Sequence, residues 1–497
     1  MNRLTWNPTF LMALATSPLT WAQYSPPSPV PSPGYLNQIL RESYPDASHW
    51  DLGGSLRLRY EVRENALAAP PANDFKFGVA NDNSYFSTKL LFHIARSEKW
   101  WNVTIEGRNS SATGDSRGAA PNIPSGSSPD SDGPVDLHQA FLTWGNLKEF
   151  PVTLKVGRQE FSYGDERVIG AFGWSQVGRV FDAAKLRWQN SWFGVDAFSG
   201  RVVVPDDNNF NTSNDYEQFS GLYFNTAKVP KNGLEFYLLA RNVSPQAITL
   251  FSPAITPSPY NPTARDVYTV GTRLKSATNA WGHFDYTVEA MGQFGNWKRS
   301  NTGIRPNERD EHRAYAGSGN LGYTFADTAG KPRLAVEYSY GSGDNDPNDG
   351  QHGTFDNLFP TNHKFYGYQD LASLQNLSDL RLISTIKPHP RLSLALEGHL
   401  FWLASTSDRF YNVGGVARAG TGTTGNPGSG TGYGLNPTYG SFVGSELDLI
   451  AGFSLNKAAQ LEAGYAHFFR GDYITDTFHI AGSQDADWLY AQLQLRF

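Results

Sequence analysis

The stretch GSLRLRYEVREN, residues 54–65, alternates charged and apolar side chains with a period of two. Its charged members are Arg57, Arg59, Glu61 and Arg63, and the apolar members between them are Leu58, Tyr60 and Val62. Because successive side chains of a strand point to opposite faces, this period predicts a β-strand with one apolar and one charged face. Similar alternation returns in about eighteen segments of about ten residues, the length of a tilted strand that crosses a membrane.

The composition favours one large all-β domain. Aromatic residues make up 14% of the 497 residues, glycine occurs 49 times and methionine only three times. The chain has no cysteine, which excludes disulfides, thiolate metal sites and cysteine nucleophiles. A net charge of -6 gives no indication of a nucleic-acid partner.

The N-terminus has the features of an export signal. Residues 1–22 combine Arg3, the apolar core FLMALA and a small-residue cleavage site at Thr20-Trp21-Ala22. A Pro/Ser-rich periplasmic leader is expected at 23–49, extended in its first part, and the remaining 50–497 are predicted to form the barrel. No later run is apolar for long enough to form a transmembrane helix, so the chain is expected to pass the inner membrane.

Loop lengths distinguish a membrane barrel from a soluble β-sandwich, whose strands alternate in the same way. The long connections are 159–180, 204–216, 242–265, 295–312, 341–378 and 404–441, and the short ones are 189–191, 226–233, 276–280, 326–331 and 388–390. Long and short connections alternate along the chain, as in bacterial outer-membrane barrels. We therefore predict one transmembrane antiparallel β-barrel of about 18 strands, with short periplasmic turns, long extracellular loops and both termini in the periplasm. A soluble all-β protein and a parallel β-helix are the alternatives.

The charged parity of each strand is expected to face the barrel lumen, because a charge on the lipid side costs about 2–4 kcal/mol at the bilayer midplane. The inward cations include Arg57, Arg59, Arg63, Lys155, Lys185, Arg187, Arg273, Arg381 and Arg470, and the inward anions include Glu61, Glu397, Glu446 and Asp448. Side chains cannot fill so wide a barrel, so water is expected to occupy the rest unless a loop plugs it. The arginines then either select an anionic solute or form neutral ladders with the neighbouring acids.

Several longer motifs resemble the alginate export family of outer-membrane proteins. They are LGGSLRLRYEVRENA near the start, LKVGRQEFSYGDERVIGAFGWSQVGRVFDAAKLRW (154–188), FYGYQDL (365–371) and GSELDLIAGFSL (444–455). The resemblance implies an eighteen-stranded monomeric barrel with an arginine-rich constriction that passes the uronate polymer alginate outward. Within the shared motifs, the residues that it singles out for the pore are Arg158, Asp165, Arg167, Arg179, Asp182, Glu446 and Asp448.

Arg158 does not fit the simple alternation of its strand. It shares the parity of Leu154 and Val156, which are expected to face lipid. Gly157 is expected to let the chain turn inward, which would place Arg158 in a long loop folded into the lumen.

These observations predict an outer-membrane channel for an anionic polysaccharide or oligosaccharide of the alginate type, lined by arginine. A general or sugar-specific diffusion porin for the uptake of small solutes is the alternative. Expected partners are the saccharide substrate, outer-membrane lipid and lipopolysaccharide, the barrel assembly machinery and periplasmic scaffold proteins on other chains. The protein is expected to be a monomer that binds no nucleic acid.

Enzymatic and metal motifs are weak in this sequence. The stretch GTGTTG (420–425) lacks the strand and helix that a nucleotide-binding loop requires, and no G-x-S-x-G motif is present. The run DNDPNDG (344–350) offers Asp344, Asp346 and Asp349 as a candidate Ca²⁺ site, although it departs from the calcium-loop pattern. Histidines such as His399 and His467 show no metal-ligand spacing. We therefore expect neither an enzyme nor a required cofactor, with a barrel lipase as the enzymatic alternative.

Overall fold

A computed structural model of the chain describes residues 34–66, 74–119, 128–206, 210–244, 264–277, 280–298, 309–418 and 430–497. Its strands are β1 Trp50–Glu64, β2 Asn83–Ser97, β3 Trp101–Thr113, β4 Asp132–Trp144, β5 Val152–Gln159, β6 Phe181–Gln189, β7 Gly194–Val204, β8 Thr212–Ser213, β9 Glu217–Thr226, β10 Asn232–Val243, β11 Arg265–Ser276, β12 Phe284–Lys298, β13 Arg309–Thr324, β14 Arg333–Gly341, β15 Gln351–His352, β16 Leu377–His389, β17 Leu392–Leu403, β18 Phe442–Ser454, β19 Ala459–Arg470 and β20 Ala486–Arg496. The α-helices are Tyr35–Ser43 and Asp472–Thr477, and short 3-10 turns lie at Pro45–His49, Ser116–Ala119 and Asn362–Lys364.

The long strands form one closed antiparallel barrel of eighteen strands. Each long strand pairs with the next along the chain, and β20 pairs with β1 to close the barrel. The two-residue strands β8 and β15 lie in loops and are not part of the barrel wall. Closure leaves no open sheet edge in the membrane, where an unpaired backbone group costs several kcal/mol. The predicted fold class is confirmed.

Strand β1 shows how the alternation is used. The charged residues at 57, 59, 61 and 63 are buried, whereas Tyr60 between them is 48% exposed on the outer surface. The outer surface carries further exposed apolar side chains, among them Leu90, Leu142, Leu238, Leu382, Leu449 and Leu489. The apolar parity therefore faces outward, where lipid would cover it, and the charged parity faces the interior.

Turns and loops segregate to opposite ends of the barrel, as predicted. The connections at one end contain at most eight residues, and those at the other contain ten or more. Some strands are longer than their sequence patterns suggested: β12 runs to Lys298 and β13 begins at Arg309, which shortens the predicted connection 295–312. Exposed Trp100, Trp144 and Trp188 lie at the short-turn end, where an interfacial girdle is expected.

The predicted export signal at 1–22 and the first part of the leader lie outside the described residues. The described part of the leader contains the helix Tyr35–Ser43, which contacts β1 through Asn37. The Asn37 side-chain oxygen accepts a hydrogen bond from the backbone N–H of Leu52 at 2.7 Å. None of the helices in the described part of the chain is long and apolar enough to cross a membrane.

Candidate functional site in the barrel interior

Two long loops fold back into the barrel and occupy its interior. Inner loop A comprises residues 160–180, and inner loop B comprises residues 342–376. Every residue of inner loop B from 353 onward is buried. The loops are joined by a parallel bridge between Ile169 and Phe359, where the backbone N–H of Gly170 donates to the Phe359 carbonyl at 2.8 Å. The interior is thus narrowed by protein from both loops.

The arginines of β1 point inward, as predicted, and bind these loops. Arg57 and Arg59 both donate to the carbonyl of Trp174 in inner loop A, at 2.9 and 2.6 Å. The Arg59 guanidinium also lies 3.6 Å from the centroid of the Trp174 ring. Arg63 donates to the carbonyl of Gln369 in inner loop B at 2.8 Å. The predicted arginine row therefore anchors the inner loops to the wall.

Acidic neighbours neutralise part of this row. Glu61 accepts from Arg59 at 3.1 Å and from Arg63 at 3.2 Å, and all three side chains are almost fully buried. Burying a charge is costly unless it is paired and hydrogen-bonded, so this arrangement satisfies the requirement locally. On β1 the structure thus matches the neutral-ladder interpretation.

The expectation that Arg158 lies in a loop folded into the lumen is wrong. Arg158 belongs to β5, in register with Ala140 on one side and Asp182 on the other. Gly157 has a φ of +122°, and a Cβ at that position would lie 2.2 Å from the Ala140 carbonyl oxygen. Strand pairing is regular on both sides of this glycine, so Arg158 and Asp182 lie on the outer face with exposed Val156, whereas Gln159 is buried on the inner face. Arg158 is buried on that outer face because the carbonyl of the loop residue Asn211 covers it and accepts a hydrogen bond at 3.0 Å. Arg158 then binds Asp182 through two parallel bonds of 2.8 and 2.9 Å.

Asp165 of inner loop A binds two cations of β11. Its carboxylate lies 2.6 Å from Arg273 and 3.0 Å from Lys275. Burial opposes the ionisation of Asp165, but the two cations outweigh it and lower its pKa to about 2. Asp165 is therefore charged at neutral pH and holds inner loop A against the wall.

Arg167 and Arg179, the other arginines of inner loop A, are also engaged. Arg167 donates to Glu337 of β14 at 3.0 Å and to the Tyr366 hydroxyl of inner loop B at 2.9 Å. Arg179 donates to the carbonyl of Pro360 in inner loop B at 2.9 Å. These contacts connect both inner loops to each other and to the wall.

Two of the predicted arginines lie away from the inner loops. Arg187 pairs with Asp196 at 2.9 Å towards the short-turn end, with about a quarter of its side chain exposed. Arg470 is exposed at the end of β19 and lies 3.4 Å from Asp485. The structure therefore does not gather all the predicted arginines into one ring.

Arg381, Glu446 and Asp448 belong to a buried cluster that also contains Glu397 and His399. Arg381 forms an ion pair with Glu397 and donates to the Lys364 carbonyl at 3.1 Å. Glu446 accepts from the backbone N–H of Gln369 at 2.9 Å. Glu397 and His399 alternate on β17 as Glu446 and Asp448 do on β18, and only the pairing of the two strands brings the four together.

The positive charges of Lys155 and Lys185 are neutralised less than those of the inward arginines. The two lysines face each other across β5 and β6, are half-buried in the lumen wall, and form no ion pair with a carboxylate among the described residues. The carboxylates of Glu160 and Asp196 attract Lys155 and Lys185, respectively, from a longer distance. The Lys155 ammonium lies 3.6 Å from the centroid of the Phe141 ring. The parity rule includes both lysines among the inward cations, but the sequence does not indicate which cations form no ion pair.

The candidate calcium residues do not converge in the structure. Asp344 is buried, whereas Asp346 and Asp349 are exposed, and each accepts a hydrogen bond from the backbone of its own loop. Within the described chain, three metal-ligating side chains come together elsewhere, on β17 and β18. Burial raises the pKa of Asp344 to about 6.

The closed barrel, its apolar outer surface and its charged interior define an outer-membrane channel protein of the porin type. The fold is similar to the crystal structures of OccAB1 from Acinetobacter baumannii, with a TM-score of 0.54, 11% identity and coverage of 90% of this chain and 97% of that one. It is also similar to OccK9 (OpdG) from Pseudomonas aeruginosa, with a TM-score of 0.54, 10% identity and coverage of 90% and 98%. OpdK from the same organism, solved with vanillate, gives a TM-score of 0.53, 9% identity and the same coverage.

The chain belongs to the alginate export family, whose model matches residues 48–484. A sequence search among individually described proteins gives no match. The family and the barrel together indicate an outer-membrane transport channel and not an enzyme. They do not distinguish a polysaccharide from a small solute.

Proposed function

We propose that the protein passes an anionic saccharide of the alginate type, a uronate polymer or oligomer, across the bacterial outer membrane. The observation that carries this proposal is the pair Lys155 and Lys185, two lumen cations that face each other and form no ion pair in the described chain. Like charges placed opposite each other destabilise a sheet, so a functional reason for the pair is needed. An anion bound between them supplies that reason.

Nearby aromatic rings strengthen the attraction. The Lys185 ammonium lies 5.7 Å from the ring of Tyr163, which belongs to inner loop A, and Lys155 lies against Phe141. These rings displace water from one side of each ammonium group. A solute carboxylate in contact with one such cation gains about 1–4 kcal/mol, and the gain rises as water is excluded.

Planar-bilayer recordings test this proposal. Under a salt gradient the wild-type channel should prefer anions, and the preference should weaken as rising salt shortens the Debye length. Uronate oligomers should interrupt the current. The double variant Lys155→Glu/Lys185→Glu should reduce or invert the preference, because lumen substitutions tune selectivity.

The control is Lys457→Glu, which changes charge by the same type of substitution in an exposed turn at the same end of the barrel. It should leave the reversal potential near the wild-type value. A wild-type channel that prefers cations, or a double variant with an unchanged reversal potential, would contradict the proposal.

The second candidate function is uptake of small acidic or neutral solutes, and the inner loops favour it. Arg179 holds the two loops together, and Lys364 of inner loop B forms a buried ion pair with Glu166 of inner loop A at 2.7 Å. Because the inner loops narrow the barrel interior, it suits a small solute better than a polymer. The structural similarity to OpdK, solved with vanillate, is consistent with this candidate but extends only to the fold.

Liposome swelling separates the two candidates. If monomeric uronate enters liposomes and oligomers neither enter nor block the current, the protein is a small-solute porin. If oligomers block the current from the short-turn side, the exporter is supported. The same liposomes can be made with the Lys155→Glu/Lys185→Glu variant, which should slow the entry of uronate but not of a neutral sugar.

The proposed location is the bacterial outer membrane, with lipid and lipopolysaccharide around the apolar band and periplasmic scaffolds supplied by other chains. We propose a monomer inserted by the barrel assembly machinery. Cell fractionation and a heat-modifiable gel band would test the location. Release of the protein by urea alone would contradict it.

A further inference from the structure

The buried cluster on β16, β17 and β18 has the donor set of a metal site. Glu397, His399 and Asp448 place one potential ligand atom each within 4.8 Å of the others, and all three side chains are fully buried. His399 Nε2 lies 3.8 Å from Glu397 Oε2 and 3.8 Å from Asp448 Oδ2. Ligands bound about 2.0–2.1 Å from a tetrahedral zinc lie roughly 3.3–3.5 Å apart, so a small contraction would close the site.

Several buried side-chain nitrogen and oxygen atoms of this cluster have no hydrogen-bond partner. His399 Nε2, Glu397 Oε1 and both carboxylate oxygens of Asp448 have no hydrogen-bond partner, and Oε2 of Glu446, opposite His399 in register, has none either. A buried polar atom without a partner costs about 1–3 kcal/mol, and charged groups cost more. So many in one place require an additional ligand or additional protons.

The other nitrogen of His399 is already held in the orientation that a metal ligand needs. His399 Nδ1 lies 3.1 Å from both oxygens of Asp379. In metal sites a carboxylate typically binds one imidazole nitrogen in this way and directs the other towards the ion. Asp379 would thus serve as a positioning residue.

The charge balance supports a cation. Asp379, Glu397, Glu446 and Asp448 are four carboxyl groups, and within the described chain the cations that contact them are Arg381 and, when protonated, His399. Buried charges are normally paired or coordinate metals. A divalent ion would remove most of the excess negative charge.

We propose that Glu397, His399 and Asp448 bind a divalent transition-metal ion in the wall of the barrel. An imidazole nitrogen beside carboxylates suits zinc and its neighbours, whereas calcium and magnesium prefer ligand sets of oxygen alone. The ion would also stabilise inner loop B, because Glu446 binds the backbone N–H of Gln369 and Arg381 binds the Lys364 carbonyl. This site is separate from the Lys155 and Lys185 pair.

The test uses the full-length barrel refolded in detergent from urea with ZnCl₂, then desalted and analysed for metal by mass spectrometry. Refolding gives the ion access to a site that is buried in the folded protein. The folded wild type should retain a single zinc ion per chain. Refolding with Co²⁺ should give the visible absorption of an ion bound to nitrogen and oxygen.

Three variants and one control locate the ion. His399→Gln and Asp448→Asn should each abolish retention, and Asp379→Asn should weaken it by roughly 10- to 100-fold. The matched control is His467→Gln, because His467 also pairs with an aspartate but is more exposed. It should retain the ion as the wild type does, and the heat-modifiable gel band verifies the folding of each variant.

Folded wild type that retains no zinc overturns the proposal, because the carboxyl groups must then share protons instead. Retention by folded His399→Gln at the wild-type level overturns it as well. If neither ligand variant folds, the wild-type Co²⁺ spectrum decides: absorption bands of a nitrogen-ligated ion support the site, and their absence rejects it.

Discussion

The barrel interior contains two regions that use similar residues differently. Around the inner loops, arginines such as Arg59, Arg167 and Arg381 are buried and engage carbonyls or carboxylates. Nearer the short turns, Lys155 and Lys185 are half-buried and form no ion pair with a carboxylate in the described chain. The first region holds the loops in place, and the second has positive charge available for a solute.

The difference shows that burial decides what an inward cation can do. A fully buried charge must be paired, since its desolvation costs several kcal/mol, so its partners are built into the protein. A half-buried charge keeps enough water to remain unpaired and can exchange that water for a solute anion. Lumen orientation alone therefore does not identify the residues that contact the substrate.

Replacing a buried arginine of the inner-loop region is expected to have the largest effect on stability. Arg167→Met removes the partner of Glu337 and one link between the inner loops, and we expect it to lower the free energy of unfolding by about 3–5 kcal/mol. Urea unfolding of the detergent-folded barrel, followed by tryptophan fluorescence, measures this loss. Loosened loops should also increase single-channel conductance.

The matched control for Arg167→Met is Arg313→Met. Arg313 pairs with Glu311 at 2.7 Å, but both side chains are more than half exposed. We expect a change within about 1 kcal/mol, as for other exposed ion pairs. Equal losses for the two variants would show that Arg167 does not anchor the loops.

An intermediate effect is expected at Gly157, which precedes Arg158 in β5 and lies close to the backbone of β4. Gly157→Ala places a Cβ against the Ala140 carbonyl at a φ that only glycine adopts easily. We expect the free energy of unfolding to fall on the order of 1–3 kcal/mol in the same urea assay. Gly319→Ala, with no atom within 4 Å of the added Cβ, should be neutral or slightly stabilising. If Gly157→Ala were equally neutral, the close approach of the Ala140 carbonyl would not require a glycine at this position.

The smallest effect concerns Asp344 at the start of inner loop B. Because burial raises its pKa to about 6 from an ordinary 3.8, the folded state binds its proton more tightly than the unfolded state. Its contribution to stability is therefore full below about pH 4 and is lost as pH rises through about 6. Urea midpoints should fall over this range in wild type and fall less in Asp344→Asn. The exposed neighbour variant Asp346→Asn should keep the wild-type slope, and an identical slope in Asp344→Asn would refute the assignment.

Much of the fold could be predicted because the pattern of each strand is local. The alternation in GSLRLRYEVREN assigns Arg57, Arg59 and Arg63 to the interior, since a lipid-facing charge is costly, and the structure confirms that orientation. Loop lengths correctly predicted which connections are turns. The expectation that Arg158 lies in an inward loop was wrong, because its charge on the outer parity is paired with Asp182 of β6, a partner that the local pattern does not reveal.

The sequence by itself determined the barrel, its inside and outside faces and the family resemblance, because all of these depend on residues close together in the chain. Only the tertiary structure decided that 160–180 and 342–376 fold inward, which inward cations have partners, and that Glu397 and His399 meet Asp448. Those contacts join residues far apart in the chain. They depend on strand register and on the path of each loop, and neither is encoded in a local period of two.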